Sequence, residues 1–210
     1  SNTTFGLDVI FSDTKQLQRM FDANLAPASG RAADGRLLYQ SPRPNALFNR
    51  MLRSESTAKA RYFGTTVSAK RRFAGTDDWF NRGLQFQSHY TYGRAKDDDS
   101  NERNFSATFY QDWQNLDVEY TWGDTDVRHN FVTSLTWLFA GDVQVGLIQS
   151  ARSGRPFSLT STSDLNFDST FSQDRQYING VDTGRNTFRH PNFFKTDMRV
   201  TKTVRFGSRS

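Results

Sequence analysis

The stretch from Asp126 to Phe157 constrains the fold most, because it holds two strand-like runs joined by a tight turn. In the first run one face collects mostly apolar side chains, namely Phe131, Thr133, Leu135, Trp137 and Phe139. The other face is polar apart from Val132 and Leu138. The turn is formed by residues 140–142, Ala-Gly-Asp, because Gly and Asp tolerate the backbone angles of a tight reversal. Since alternation resumes over residues 143–147, the stretch predicts a β-hairpin.

The length of these runs points to a membrane. Strands of soluble domains usually have about 5–6 residues, whereas a tilted strand needs about 9–11 residues to cross a bilayer. Mean hydropathy is −0.73, and no run approaches the roughly 18 apolar residues of a membrane-spanning helix, so a helical membrane protein is excluded. A barrel fits this composition because only every second strand residue must be apolar. We therefore predict an all-β, antiparallel transmembrane β-barrel.

Four further runs alternate in the same way, over residues 3–13, 57–73, 83–93 and 194–206. The long polar segments 14–56, 95–126 and 152–192 are interpreted as loops, with one helical turn predicted around Lys15–Phe21. The links 74–82 and 140–142 are short. In outer-membrane barrels the long loops lie outside the cell and the short turns in the periplasm. We therefore assign the three long segments to the cell exterior, and 74–82, 140–142 and 207–210 to the periplasm.

Two of the predicted strands carry a strongly polar face. Gln85, Gln87 and His89 share one face of the first, and Lys195, Asp197 and Arg199 share one face of the second. Such faces would make a poor packed core, because buried charges need partners. They suit a water-filled barrel interior, so we predict that these six residues face the lumen.

The chain is basic, with 27 Lys and Arg residues against 22 Asp and Glu residues and a formal net charge of +5. A nucleic-acid surface has to be weighed, above all at Lys70-Arg71-Arg72, which has aromatic residues nearby. The other cations are spread over loops and strand faces, and a cationic strand end also fits anionic lipid headgroups. We favour the membrane interpretation and expect no nucleic-acid partner. Cysteine is absent, which excludes disulfides and thiolate metal sites.

Catalytic arrangements are weakly supported. Asp126, His129 and Ser134 have the residue types of a triad, but no strand–elbow–helix context surrounds any serine. His89 and His190 have no partner at metal-ligand spacing. We therefore do not expect an enzyme.

An ordered set of short segments runs through the second half of the chain. The most distinctive are Asp-Val-Arg-His at 126–129 and Ser-Gly-Arg-Pro-Phe at 153–157, with support from 70–73, 90–98, 184–189 and 197–203. Together they resemble TonB-dependent outer-membrane receptors, and within these the Oar-like branch, which carries a carboxypeptidase-regulatory-like domain. The resemblance covers about residues 57–206 in the order of the family.

The resemblance implies a barrel of about 22 strands that is closed by a plug domain. Such receptors import scarce ligands with energy from the TonB complex of the inner membrane. On this interpretation residues 1–210 form a late part of the barrel, with the plug and the last strands outside this chain. The implied partners are outer-membrane lipid, the plug and remaining strands of the same receptor, the TonB complex and an unidentified ligand.

One loop has the spacing of a calcium site. Asp164, Asn166 and Asp168 place oxygen ligands two residues apart, and Asp174 can close the shell. The resemblance adds that Oar-like receptors tend to have an Asp-rich loop after the Ser-Gly-Arg-Pro segment. Because Ser169 stands where Gly would ease the turn, we expect weak calcium binding by residues 163–175 and no other cofactor. A solvated acidic loop without metal is the alternative; residues 97, 99 and 101 have the same spacing with weaker support.

Two functions of different classes fit these observations. The leading hypothesis is a part of the barrel wall and the ligand-gathering loops of a TonB-dependent transporter in the outer membrane of a Gram-negative bacterium. The alternative is a structural or adhesive outer-membrane β-protein that binds a surface partner without transport. A soluble enzyme comes third.

Overall fold

The computed structural model describes residues 2–76, 79–80, 82–100, 110–170, 174–204 and 206. Six long strands dominate this part of the chain: β1 (Asn2–Asp22), β2 (Leu52–Ala74), β3 (Gly83–Asp97), β4 (His129–Phe139), β5 (Val143–Arg152) and β6 (Phe193–Lys202). Each pairs antiparallel with the next one along the chain. The sheet is open, with β1 and β6 at its edges. The predicted all-β, antiparallel fold is confirmed.

The register of the six strands separates two chemically distinct faces. One row across the whole sheet consists of Leu7, Val67, Tyr90, Phe131, Ala151 and Phe194. Because side chains alternate between the two sides of a strand, this row and the rows two residues away define one side, which we call the apolar face. Its large side chains are exposed, with Leu7 at 68% and Met198 at 71%. Lipid tolerates such a surface, whereas water does not.

The opposite side, which we call the polar face, carries all six residues that the sequence assigns to the lumen. Gln85 lies in the same row as Arg199, Gln87 in the same row as Asp197, and His89 in the same row as Lys195. The sequence pattern thus places these residues on one common face. Because the sheet is open, their position in a closed lumen stays a prediction.

Aromatic side chains gather at both ends of the apolar face. At the short-turn end, the ring of Phe80 packs edge-on against Trp137, with centroids 4.8 Å apart. At the long-loop end, the Tyr90 hydroxyl lies 2.7 Å from Nδ1 of His129, beside Tyr92. Eight residues of β3 separate these two levels, which is about 27 Å along a strand and roughly 20 Å in height for a tilted one. The apolar face between the aromatic girdles therefore approaches the height of about 25 Å that a transmembrane band has.

The helical turn predicted around Lys15–Phe21 is wrong, because these residues continue β1. A register shift between Thr14 and Leu17 marks a β-bulge, and Gln16 has a φ of 60° there. Beyond the bulge, Met20 pairs with Ser54 in an extension of β2. Hydrogen bonding to a partner strand sets the conformation here, where the local sequence shows no strand pattern. The first long loop is consequently shortened from 14–56 to 23–51.

Other strand ends also differ from the predicted bounds. β2 begins at Leu52 rather than at residue 57, and β3 continues to Asp97 rather than ending at 93. β6 ends at Lys202, so Val204 and Phe206 lie outside it. The tight turn at 140–142 is confirmed, since Gly141 and Asp142 have φ values of 69° and 58°.

Tyr62 packs on the polar face against two glycines of neighbouring strand segments. A Cβ atom added to Gly64 would come within 2.8 Å of ring carbons of Tyr62, and one added to Gly93 would lie 3.2 Å from its hydroxyl. Gly64 pairs directly with Gly93 across β2 and β3. The ring therefore covers a place where two backbones expose no side chain.

The long connections contain short ribbons rather than structureless chain. Two-residue strands pair at Gly30–Arg31 with Leu37–Leu38, at Pro156–Phe157 with Phe188–Arg189, and at Tyr177–Ile178 with Val181–Asp182. Thr121–Trp122 pairs with the end of β3, and Leu116–Glu119 forms one turn of 3₁₀ helix. In the described residues no helix is long and apolar enough to cross a membrane.

Candidate functional site

The long connections, residues 23–51, 98–128 and 153–192 as far as they are described, pack together at one end of the sheet, and we call this unit the cap. Its buried side chains are mainly polar or charged, among them Asn24, Arg36, Asp98, Glu119, Asp126, Asp174, Arg175 and Arg185. In the described part of the chain the buried apolar side chains are few, namely Tyr39, Ala58 and Pro156. The cap is therefore held by ion pairs and hydrogen bonds more than by an apolar core.

Glu119 is the most deeply buried group of the cap, with no exposed surface. Arg175 donates to both of its carboxylate oxygens, at 2.6 and 2.9 Å, and to Asp182 at 2.8 Å. Burial lowers the pKa of Arg175, but its hydrogen bonds to Glu119 and Asp182 outweigh that effect and raise it. Gln111 donates its backbone N–H to Glu119 and accepts the hydroxyl of Tyr39 on its carbonyl, each at 3.1 Å. This cluster ties together all three long connections.

A second group of ion pairs anchors the cap to the ends of β1 and β2. The guanidinium of Arg19 and the carboxylate of Asp98 are 2.7 Å apart and almost fully buried. Asp22, the last residue of β1, accepts two backbone N–H groups at 2.9 Å and pairs with Arg43 at 2.6 Å. Arg43 also donates to the backbone carbonyl of Asp168 at 2.7 Å. The first and third connections are thus fixed to each other and to the sheet.

The segments that carry the family resemblance meet where the cap joins the sheet. Arg189 forms an ion pair with Asp126 and donates to the carbonyl of Gly154 at 3.1 Å. Arg185 forms an ion pair with Asp97 at the end of β3. Residues 156–157 and 188–189 pair as a two-stranded ribbon. Segments far apart in the sequence therefore form one junction between the cap and the sheet.

A pocket of about 450 Å³ lies beside this junction, within the size range of small-molecule sites. The resemblance segments contribute to its lining Asp98, Arg155, Pro156, Phe157, Arg185 and Asn186. The rings of Phe157 and His190 are in contact, with centroids 4.6 Å apart and planes tilted by 34°. Three carboxylates and three guanidinium groups line the pocket, so its formal charges balance. The guanidinium of Arg155 is exposed, and within the described residues it has no ion-pair partner.

The predicted calcium loop folds compactly. Asp174, 1% exposed, accepts the backbone N–H groups of Leu165 and Asn166, the latter at 3.0 Å. Asp164 accepts those of Asp168 and Ser169, at 3.2 and 2.9 Å. The four predicted ligands are thus brought into one loop, but their oxygens accept hydrogen bonds from the loop itself.

Burial shapes the electrostatics of this loop. Burial, reinforced by the charge of Asp174, raises the pKa of Asp168 to about 6, although hydrogen bonds from Thr170 and Asn166 lower it. In the described residues no group of three or more acidic or histidine side chains is arranged to hold a metal ion. Calcium binding by this loop stays a prediction, and Asn101 of the weaker triplet lies outside the described residues.

The triad considered in the sequence is not assembled. His129 contacts Tyr90 on the apolar face, and Asp126 is engaged by Arg189 and by the backbone N–H of Ala95 at 2.7 Å. Ser134 lies five residues from His129 along β4 and therefore on the opposite face. The interpretation that the chain is not an enzyme stays a prediction.

Sequence reasoning missed the residues that hold the cap together. Glu119, Arg19 and Tyr39 belong to no motif, and the partners Glu119 and Arg175 are 56 residues apart. The sequence indicates this network of buried charges only indirectly. Loops with many Arg and Asp residues but few apolar ones cannot fold on an apolar core, so ordering requires that their charges pair with one another.

The architecture defines a class of protein. A sheet with one apolar face between aromatic girdles, short turns at one end and a polar cap at the other is the wall of an outer-membrane β-barrel. Comparison with protein families agrees, because the profile of the outer membrane beta barrel domain matches residues 1–181. The chain belongs to this family, whose members lie in the outer membrane of Gram-negative bacteria in contact with its lipid. Comparisons with curated proteins and with solved structures returned no match.

Proposed function

We propose that this chain forms part of the wall and the ligand-gathering cap of a TonB-dependent outer-membrane transporter of the Oar-like type. The observation that carries the proposal is the position of the pocket. Its lining draws on three of the segments on which the resemblance rests, around Asp98, Arg155 and Arg185. In a transporter, such a pocket in the cap is the place of first contact with a ligand from outside the cell.

The chemistry of the pocket suits a polar ligand with little net charge. The neighbouring rings of Phe157 and His190, tilted by 34° to each other, offer an aromatic surface to a ring or an apolar edge. Arg155 offers donors that no carboxylate of the described chain occupies. Because carboxylates and guanidinium groups balance, a strongly charged ligand gains no net attraction.

In the proposed transporter, the polar face continues the route of the ligand from the pocket into the barrel. Lys195, Asp197 and Arg199 follow one another along β6, in rows shared with His89, Gln87 and Gln85. In the proposed transporter these side chains surround the plug, and the TonB complex acts through other parts of the receptor.

The proposal is tested in cells that carry the complete receptor. Untargeted mass spectrometry of spent medium should find a compound that is depleted by receptor-containing cells and left behind when the receptor or TonB is inactivated. Arg155→Gln should slow depletion at low ligand concentration, whereas Arg53→Gln, a change of an exposed residue at the start of β2, should not. No TonB-dependent depletion of any compound would refute transport.

An adhesive outer-membrane protein is the second candidate, and one observation favours it. Leu47, Phe48 and Met51 are 87%, 54% and 41% exposed in the cap, although this side of the membrane faces water. An adhesin would bind its surface partner equally well without TonB, and the change Leu47→Ser would weaken that binding. TonB-dependent depletion with unchanged uptake by the Leu47→Ser variant would instead support the transporter.

A further inference from the structure

Three cations occupy the apolar face of the sheet at its cap end, just beyond the aromatic girdle around Tyr92, which we call the upper girdle. Arg61 pairs with Lys96 across β2 and β3, so the two side chains share a face. Arg94 lies two residues before Lys96 and four residues after Tyr90, and therefore on the same side. We call Arg61, Arg94 and Lys96 the basic band.

The height of the basic band corresponds to the headgroup level of a membrane. Tyr92 belongs to the upper girdle, and Lys96 lies four residues further along β3. Four residues span about 13 Å along a strand and roughly 10 Å in height at the usual tilt. In a barrel wall the girdle marks the boundary of the hydrocarbon, so the basic band is level with the headgroups on the cap side.

Aromatic rings, rather than carboxylates, hold two of the three cations. Arg94 donates from Nε to the hydroxyl of Tyr92 at 2.6 Å, and its guanidinium lies 5.4 Å from the centre of that ring. Nζ of Lys96 lies 4.7 Å from the centre of the ring of Trp122. Both side chains are exposed, and neither has an ion-pair partner among the described residues. Their positive charges are therefore positioned but not neutralised.

The acidic groups nearby do not cancel this charge. Asp13 pairs with Arg61 at 3.1 Å, but the side chain of Arg61 is still 55% exposed. At the same end of the sheet, Nζ of Lys59 lies 3.2 Å from a carboxylate oxygen of Asp117, and this ion pair adds no net charge. Arg94 and Lys96 leave a local excess of positive charge at the level where phosphate groups of lipids lie.

We propose that the basic band binds phosphate groups of phosphorylated lipid headgroups in the membrane leaflet next to the cap. A guanidinium matches the geometry of a phosphate with two parallel hydrogen bonds, and a lysine adds a point charge. The rings of Tyr92 and Trp122 lie where aromatic side chains favour the membrane boundary. Such contacts fix the depth and tilt of the wall independently of any transported ligand.

The test uses the complete receptor, purified in detergent and titrated with diphosphorylated lipid A, with binding measured by native mass spectrometry. Arg94→Gln combined with Lys96→Gln should weaken binding roughly ten- to thirtyfold, given about 1 kcal/mol for each cation at a membrane surface. The matched control is Lys70→Gln combined with Arg72→Gln, which removes the same charge from the polar face at the other end of β2. This control should bind as the parent does.

Two further arms identify the source of the phosphate. Dephosphorylated lipid A should bind the parent receptor no better than the double variant binds the phosphorylated lipid. Inorganic phosphate in millimolar excess should leave lipid binding largely intact, whereas complete displacement would assign the band to free phosphate. Unchanged lipid affinity of the Arg94→Gln, Lys96→Gln receptor, or an equal loss in the polar-face control, would overturn the proposal. Gel mobility of unheated samples shows whether each variant barrel is folded.

Discussion

The wall, formed by the six long strands, and the cap use opposite kinds of side chain for opposite reasons. The wall exposes large apolar residues such as Phe194, at 70%, and connects its strands through a regular backbone ladder. The described part of the cap buries charged residues such as Glu119 and Arg175, and its regular structure consists of short ribbons and one turn of 3₁₀ helix. In lipid, unpaired backbone groups cost several kcal/mol each, so the ladder dominates the wall. In water the cap has little apolar surface to bury, and specific ion pairs organise it instead.

Because different interactions hold the wall and the cap, we expect that each region can unfold without the other. Removal of one partner of a buried ion pair strongly destabilises the fold, because the other charge stays buried without a partner. A strand in a membrane is most sensitive on its lipid side and tolerant on its lumen side. Variants that affect one region and leave the other intact therefore measure how independent the regions are.

Removal of Glu119 should have the largest effect. Glu119→Ala removes the buried bidentate partner of Arg175 and leaves Asp182 as its one remaining carboxylate partner among the described residues, so the cost should be at or somewhat below the roughly 3–5 kcal/mol of a fully broken buried pair. Limited proteolysis of the complete protein in outer-membrane vesicles should show rapid cleavage of the cap, with the heat-modifiable gel mobility of the barrel retained. Glu55→Ala is the control, since its pair with Arg53 is exposed and contributes about 0–1 kcal/mol. Loss of the barrel together with the cap would show that the regions are coupled.

A charge on the apolar face should affect the wall and spare the cap. Leu135→Lys places a cation near the middle of the transmembrane band and should destabilise the barrel by about 2–4 kcal/mol. The neighbouring change Ser134→Lys adds the same charge on the polar face and should cost far less. Urea titration followed by gel mobility gives both values. Equal destabilisation by the two variants would contradict the assignment of the faces.

Calcium should stabilise the loop of residues 163–175 by a smaller amount. For a dissociation constant of 10⁻⁴–10⁻³ M, about 10 mM calcium contributes roughly 1.4–2.7 kcal/mol. Calcium titration of the complete protein should protect the loop from proteolysis, and Asp164→Ala with Asp168→Ala should abolish that protection. Equal cleavage in calcium and in chelator would leave the solvated loop as the correct interpretation.

In chelator, the same loop should become more stable as pH falls. The pKa of Asp168 is 3.8 in the unfolded chain and about 6 in the folded one, so between these values the folded loop binds more protons than the unfolded loop. Its stability therefore decreases as pH rises from about 4 to 6. Hydrogen exchange of residues 163–170 should slow at low pH beyond the intrinsic effect, and Asp168→Asn should reduce this dependence. A pH-independent loop would place Asp168 in a more hydrated environment.

The smallest effect is expected at Ser169. Its φ of 67° lies in the left-handed region, so Ser169→Gly should relieve backbone strain but lose the hydrogen bond of its hydroxyl to Asn49 at 3.1 Å. The two terms nearly cancel, within about 1 kcal/mol. Calcium affinity, measured on the same variant, should rise slightly. A large loss of loop protection would show that the contact with Asn49 matters more than the turn.

The wall could be predicted well from the sequence because its rules are local. Period-two alternation located the hairpin around residues 140–142, and the same pattern placed Gln85 and Arg199 on a common face. The error at Lys15–Phe21 arose because a bulge at Gln16 interrupts that period and hides the continuation of the strand. Its true structure depends on a partner strand more than 30 residues away.

The cap could be predicted only in fragments. The segments around Asp126, Gly154 and Arg189 were recognised by their resemblance, but not their contacts with one another. Pairing of buried charges depends on three-dimensional proximity, and a sequence with many Arg and Asp residues allows many pairings. The structural role of residues such as Glu119 becomes apparent only in the folded protein, where their partners are close.

The ring of Tyr62 over Gly64 and Gly93 acts as a check on strand alignment. If β2 and β3 slipped by two residues, every side chain would keep its face, and the apolar pattern could not detect the error. Thr91 or Ala95 would then replace Gly93 opposite Gly64, and a side chain would occupy the space that the ring now fills. Misaligned strands thus leave no space for the ring of Tyr62, whereas the correct alignment provides it. One aromatic residue and two glycines thereby discriminate between alignments that hydrophobicity alone treats as equal.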